Sequence, residues 1–141
     1  MYATTYAKAK DAADAVSLLK GADEGKLLAG GQTLIPTLKQ RLASSDCLID
    51  LSEVGLSGIS DEGGSIRIGA MTRHVEVETS KLVKKAIPAL AALASGIGDR
   101  QVRNCGTIGG SVANNDPSAC YPSALLALGA TVHTDRRDIA A

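Results

Sequence analysis

Apolar and polar positions change their spacing several times along this chain, and each change marks an element. Residues 3–7, Ala-Thr-Thr-Tyr-Ala, carry the β-branched and aromatic side chains of a short strand. From about Ala9 to Lys20 the apolar period becomes helical. Ala12, Ala15, Val16 and Leu19 share one face, and Gly21 stands where a helix-ending residue is expected. Residues 26–29, Lys-Leu-Leu-Ala, read as a second strand running into Gly30–Gly31. A second helix follows from about Thr33 to Leu42. Leu34, Leu38 and Leu42 recur every fourth residue, and Pro36 lies in the first turn, where its missing N–H is tolerated. Residues 47–51, Cys-Leu-Ile-Asp-Leu, predict a third strand. This β-α-β-α-β order is that of a small parallel sheet with right-handed crossovers.

After Leu51 the pattern loosens. Residues 53–64 are rich in glycine and serine, with only short apolar pieces. Residues 65–70 alternate Ile66 and Ile68 with polar positions, as a half-buried strand does. Residues 74–86 predict a helix in two pieces around Ser80. Pro88 starts another, with Leu90, Leu93, Ala94 and Ile97 inward, ending near Gly96–Gly98. The stretch from Gly106 to Pro122 is rich in turn formers and poor in helix formers. A helix is expected from Pro122 to Gly129, then a strand over 131–134. The charged turn after that strand normally leads to another strand, so the chain is expected to be the N-terminal part of something longer. No repeat at a solenoid period is present.

Composition narrows the function. Fifteen basic side chains balance fifteen acidic ones, which argues against non-specific nucleic-acid binding. Aromatics are 2% of the 141 residues, with no Phe or Trp, so there is little on which to stack bases. The core must rest on Leu, Ile, Val and Ala. With 45% hydrophobic residues and a mean hydropathy of +0.08, the chain is a folding one. No apolar run reaches a membrane span and no signal peptide is visible, which predicts a soluble, cytoplasmic protein. Cys47, Cys105 and Cys120 show no CxxC spacing, and His74 and His133 are remote from them in sequence. Reduced thiols fit better than a disulfide framework or a metal site.

Three segments could carry chemistry, the last of them Asn114 to Tyr121. Ala29-Gly30-Gly31-Gln32-Thr33 lies at a strand-to-helix junction, where glycine amides and a helix N-terminus can converge on an anion. Equally it could be a tight turn with Thr33 as N-cap. Gly106-Thr107-Ile108-Gly109-Gly110-Ser111 is read as a second glycine-rich turn, or a bulge or sheet corner. Together they could hold both phosphates of a dinucleotide. Asp116 could accept a ribose hydroxyl or simply cap the turn at Pro117, and Cys120 is expected at a helix N-terminus. His74 reads as a surface or capping histidine. Arg100 and Arg103 flank the second glycine segment, where they could meet a phosphate, a partner or solvent. No paired carboxylates or Ser-His-Asp set emerges, so any redox chemistry would belong to a bound cofactor.

At AGGQTLIPTLKQRLA, IGAMTRHVEV and IGDRQVRNCGTIGGSVANNDPSACYPSALLALGA the chain resembles the FAD-binding (medium) subunit of the molybdenum hydroxylases, the carbon monoxide dehydrogenase and xanthine dehydrogenase family. The resemblance runs from Met1 to about Ile139, and the pairing of AGGQT with TIGGS makes it specific. It implies an α+β fold, the two-lobed FAD-binding domain of the vanillyl-alcohol oxidase type. Residues 1–52 would form a small parallel β-α-β-α-β lobe and residues 53–141 a second, mixed and incomplete lobe. It further implies that Leu28, Ala29, Gly30, Gly31, Gln32, Thr33 and Leu34 wrap the pyrophosphate, and that Thr107, Ile108, Gly109, Gly110 and Ser111 grip it from the other side. Ile97 and Gly98 would lie along the flavin, with Asp116 and Cys120 on the loop near the ribose. Many relatives carry a carboxylate at position 120; cysteine departs from that pattern. Family subunits also run on beyond this length.

The function so implied is electron transfer. FAD would receive electrons from an iron–sulfur (2Fe–2S) small subunit, supplied in turn by a molybdopterin large subunit, and pass them to an external acceptor. No residue of this chain would be catalytic or bind a metal. A shortened, non-catalytic docking module with little or no FAD is the alternative, followed by a free-standing nucleotide binder.

Overall fold

The computed structural model describes residues 2–141. It opens with β1 (Thr5–Lys8), α1 (Ala12–Gly21), β2 (Lys26–Leu28), α2 (Leu34–Lys39) and β3 (Cys47–Asp50). The strands form one parallel sheet in the order β1-β3-β2, with Thr5 opposite Cys47 and Lys26 opposite Leu48. The middle strand is the most apolar, and its Leu48 and Ile49 are buried. Asp11 starts α1 by accepting the Asp14 amide at 2.8 Å. Ala9, Ala15 and Ile49 then make a small core, ringed by Leu18, Leu19, Cys47, Leu51 and Val54.

Two expectations in this region fail at helix ends. Gly21 is the last helical residue, and the extended Ala22 takes the cap. The second helix stops at Lys39, three residues short of the leucine period, because Arg41 turns left-handed (φ 59°) with its guanidinium over the Tyr2 ring. Leu42 is therefore 74% exposed, whereas Leu38 is buried.

The remaining residues give β4 (Ile59–Asp61), β5 (Ile66–Ile68), α3 (His74–Thr79), α4 (Lys81–Ala86), α5 (Pro88–Ser95), α6 (Arg100–Cys105), α7 (Ile108–Asn114), α8 (Cys120–Leu128), β6 (Thr131–His133) and β7 (Asp138–Ala140). The strands pair as two antiparallel hairpins, β4–β5 and β6–β7. In β4 only Ile59 is apolar, so alternation gave no sign of it; in the structure Ile59 faces Ile68 across the hairpin. Ser80 separates α3 from α4 and caps the latter, its hydroxyl accepting the Val83 amide at 3.2 Å. Val77, Val83, Leu90, Ala91, Ala94, Ile108 and Tyr121 form the second core, with Leu93 and Ile97 at its rim.

The main correction concerns residues 106–122. Composition suggests turns, yet residues 108–114 are helical despite Gly109 and Gly110. The Thr107 hydroxyl caps that helix, and buried Ile108 anchors it in the second core. Propensity is a weak prior that such tertiary contacts override. Similarly, α8 begins at Cys120 rather than Pro122, with the proline inside the first turn. Gly129 closes α8 in a left-handed conformation (φ 57°), as its position suggests. No helix among the described residues is long and apolar enough to cross a membrane.

Ile49 sits wholly buried in the central strand of the parallel sheet. Ile49→Ala is expected to lower the unfolding free energy by about 2–5 kcal/mol. Urea titration followed by circular dichroism measures this; a loss well under 1 kcal/mol would mean that the strand is not the centre of that core.

Candidate functional site

The β2–α2 connection and the α6–α7 junction face each other across a cleft of about 630 Å³. They touch through main chain. A Cβ on Gly30 would fall on the Cys105 carbonyl oxygen and stand 2.6 Å from the Gly106 Cα, so only glycine allows this approach. Gly31 follows at φ +70°, a conformation other residues rarely adopt, and turns the chain into α2.

The two walls offer different chemistry. Among the described residues, no protein group accepts a hydrogen bond from the amides of Gly30, Gly31, Gln32, Thr33 or Leu34. Five successive free amides at the mouth of a helix suit an anion. Thr33 is the N-cap residue of α2, as the turn reading has it, but its side chain makes no cap hydrogen bond. On the facing wall the amides are already engaged. Ile108 donates to the Thr72 carbonyl (3.0 Å), Gly109 to Ala70 (2.8 Å), Gly110 to the Thr107 hydroxyl (3.1 Å) and Ser111 to the Thr107 carbonyl (3.1 Å). Residues 70–74 are thus zipped to residues 106–109, reinforced by the bridge between Arg73 and Thr107 and by the His74 amide on the Gly106 carbonyl at 2.9 Å. What the second wall presents is a small-residue surface and the Ser111 hydroxyl, which bonds no protein group among the described residues. Gly109 is close to Ala70 for the same reason of fit: a Cβ there would lie 2.5 Å from the Ala70 Cβ.

Of the sixteen positions singled out from sequence, Ala29, Gly30, Gly31, Gln32, Thr33, Leu34, Ile97, Thr107, Gly109, Gly110, Ser111 and Asp116 line the cleft. Leu28, Gly98, Ile108 and Cys120 do not. Leu28 packs beside Gly31, Ile108 belongs to the second core, and Cys120 is the exposed first residue of α8. Asp116 forms an Asx turn, its Oδ1 accepting from the Ser118 amide (2.9 Å) and hydroxyl (2.7 Å). These bonds, the hydroxyl's first, hold its carboxyl below the usual range. Arg103 is no free cation. It donates to Glu78 (2.9 Å) and to the carbonyls of Gly98 (3.0 Å) and Ile97 (3.3 Å), clamping the turn that forms part of the wall. Cys47, Cys105 and Cys120 are all free, and no cluster of three metal-ligating side chains occurs among the described residues.

Sequence reasoning missed His74. Read as a surface or capping residue, it is 5% exposed and lines the cleft floor. Its spacing from buried Val77, one helical turn on, was the available signal. Burial pushes its pKa below the ordinary value.

Residues 2–140 match the family described as FAD binding domain in molybdopterin dehydrogenase. The chain is 39% identical over 129 residues to the glyceraldehyde dehydrogenase medium chain of Sulfolobus acidocaldarius, covering 91% of this chain and 46% of that one. To the carbon monoxide dehydrogenase medium chain of Afipia carboxidovorans it is 42% identical over 127 residues, covering 89% and 44% respectively. Its structure superposes with a TM-score of 0.92 and 37% identity on carbon monoxide dehydrogenase from Hydrogenophaga pseudoflava, in a form lacking the Mo-pyranopterin moiety of the molybdenum cofactor. That match covers 99% of this chain and 50% of the other. The chain therefore spans about half the length of the relatives it matches.

The buried imidazole makes stability depend on pH. The unfolded chain binds a proton at His74 near pH 6.5, whereas the folded chain resists it until lower pH. The contribution is complete above that unfolded value and declines as pH falls toward the depressed folded one. Melting temperature is expected to drop from pH 7 to pH 5, and the drop is expected to be smaller in His74→Phe. Equal drops in both chains would show that His74 is not the titrating group.

Proposed function

We propose, from the premise that this chain belongs to the family of FAD-binding domains of molybdopterin dehydrogenases, that its cleft holds the FAD pyrophosphate against residues 29–34 and that the domain serves electron transfer. The carrying observation is the run of free amides from Gly30 to Leu34, held within main-chain contact of the α6–α7 junction. These residues fit a dinucleotide: donors for an anion and a facing wall of small side chains. FAD, when bound, supplies the ability to accept and hand on electrons.

In this reading the protein binds and orients. The 30–34 amides donate to the phosphate oxygens. Gly109 and Gly110 give room rather than donors, since their amides are engaged within the protein, and Ser111 adds one hydroxyl. The Asp116 Oδ2, which takes no hydrogen bond among the described residues, is available to a ribose hydroxyl. Ile97, braced by Arg103, stands as an uncharged wall for the planar ring. Leu28 and Ile108 pack behind this surface, and Gly98 and Cys120 lie outside its lining. Residues 1–52 and 53–141 are then the two lobes of a vanillyl-alcohol oxidase-type domain, the second completed by further chain. The domain would belong to an oxidoreductase subunit, in a complex we place in the cytoplasm. Electrons would come from a 2Fe–2S small subunit, fed by a molybdopterin large subunit, and leave to an external acceptor.

The first test is a visible absorption spectrum of the purified chain before and after adding FAD and desalting. Retention of a near-stoichiometric flavin band is expected; a colourless, folded chain would favour the docking-module alternative. Ser111→Ala is expected to weaken FAD by about tenfold, from loss of a hydrogen bond to a charged group, with the melting temperature unchanged. Unaltered affinity, measured by quenching of flavin fluorescence, would remove Ser111 from the site.

A further inference from the structure

His74 and Tyr121 are not accounted for by the binding surface described above. Tyr121 is wholly buried and His74 nearly so, yet no group among the described residues bonds the His74 Nδ1 or the Tyr121 hydroxyl. Their rings lie 5.3 Å apart between centroids, tilted by 46°. With their polar atoms unengaged, what the two contribute is shape: two flat rings in tilted contact.

The Nε2–Cδ2 edge of the imidazole meets Gly106. A Cβ on Gly106 would stand 2.6 Å from the His74 Nε2 and 2.9 Å from its Cδ2, so the ring occupies the space of the missing side chain. Gly106 has an ordinary backbone conformation (φ −61°, ψ 142°), so this contact, not its dihedral angles, is what requires glycine. Gly106 in turn receives Gly30. Tyr121, His74, Gly106 and Gly30 therefore form a column of successive contacts, each touching the next, from the second core to the loop of free amides.

We infer that His74 is a positioning residue for the cofactor cleft: its ring, backed by Tyr121, is a spacer that fixes Gly106 and so sets how closely the 30–34 amides approach the opposite wall. The inference rests on the FAD reading given above. It requires volume and flatness at position 74, not hydrogen bonding. A shift of the wall displaces donors from the phosphate oxygens, and misplacement of positioned groups is costly.

A compensating pair of substitutions tests this in the full chain, with FAD as probe and melting temperature recorded alongside. His74→Ala is expected to weaken FAD by about tenfold, and Gly106→Ala by at least as much, because its methyl strikes the ring. In the double variant the methyl enters the space the ring has left, so affinity is expected to recover above that of either single variant. His74→Phe, which keeps a flat ring, is expected to bind FAD within about threefold of the parent. Additive losses in the double variant, or a His74→Phe as weak as His74→Ala, would overturn the spacer. Should the parent chain bind no FAD, it is the cofactor reading that fails. The melting temperatures of the four alanine-cycle chains then decide the column itself: non-additive changes support it and additive ones overturn it.

Discussion

Gly30 lies main chain to main chain against Cys105 and Gly106, and much of the molecule is arranged to permit it. Any side chain on Gly30 would push the β2–α2 connection off the opposite wall. Behind that connection stands the parallel sheet, whose middle strand anchors β2 through the pairing of Lys26 with Leu48 and Leu28 with Asp50. Behind Gly106 stand the 70–74 segment and the second core. Two separately packed regions thus meet through peptide groups rather than through interlocking side chains. This geometry brings unpartnered amides to face a surface that needs none.

The near absence of aromatics acquires a physical sense in this setting. Close approach between main chains calls for small residues, and Ala9, Ala15, Ala91 and Ala94 pack the cores around them. The one fully buried aromatic, Tyr121, stands where a thick spacer is wanted behind His74.

Local patterns in the sequence announced the first half of the fold well. Each strand of the parallel sheet is a short run with apolar or β-branched side chains and each helix shows its apolar period, so the β-α-β-α-β order could be read directly, although the first helix begins at Ala12 behind Asp11 and not at Ala9. Residues 106–114 could not. Their glycines and hydroxyls describe a turn, and they become a helix only because Thr107 caps it while residues 70–74 and the second core hold it. The 70–74 segment lies more than thirty residues away in the chain, beyond the reach of any local window. His74 is a similar case. A histidine after a strand looks solvated until the fold brings Gly106 and Tyr121 against it. The 29–34 segment was readable because both its glycines and the helix after it are local features. That its donors are free while those of its counterpart are engaged is a tertiary property.

The unequal fate of the two sets of amides also gives the two walls different exchange behaviour. Protons on Ile108, Gly109 and Gly110 are tied to carbonyl or hydroxyl oxygens and would trade with solvent only when the α7 end opens. Those on residues 30–34 have no such protection until something occupies the cleft. The domain thus contains a reporter and its internal reference a few ångströms apart: deuterium uptake slows at the first wall on occupancy, while the second registers only the breathing of the fold.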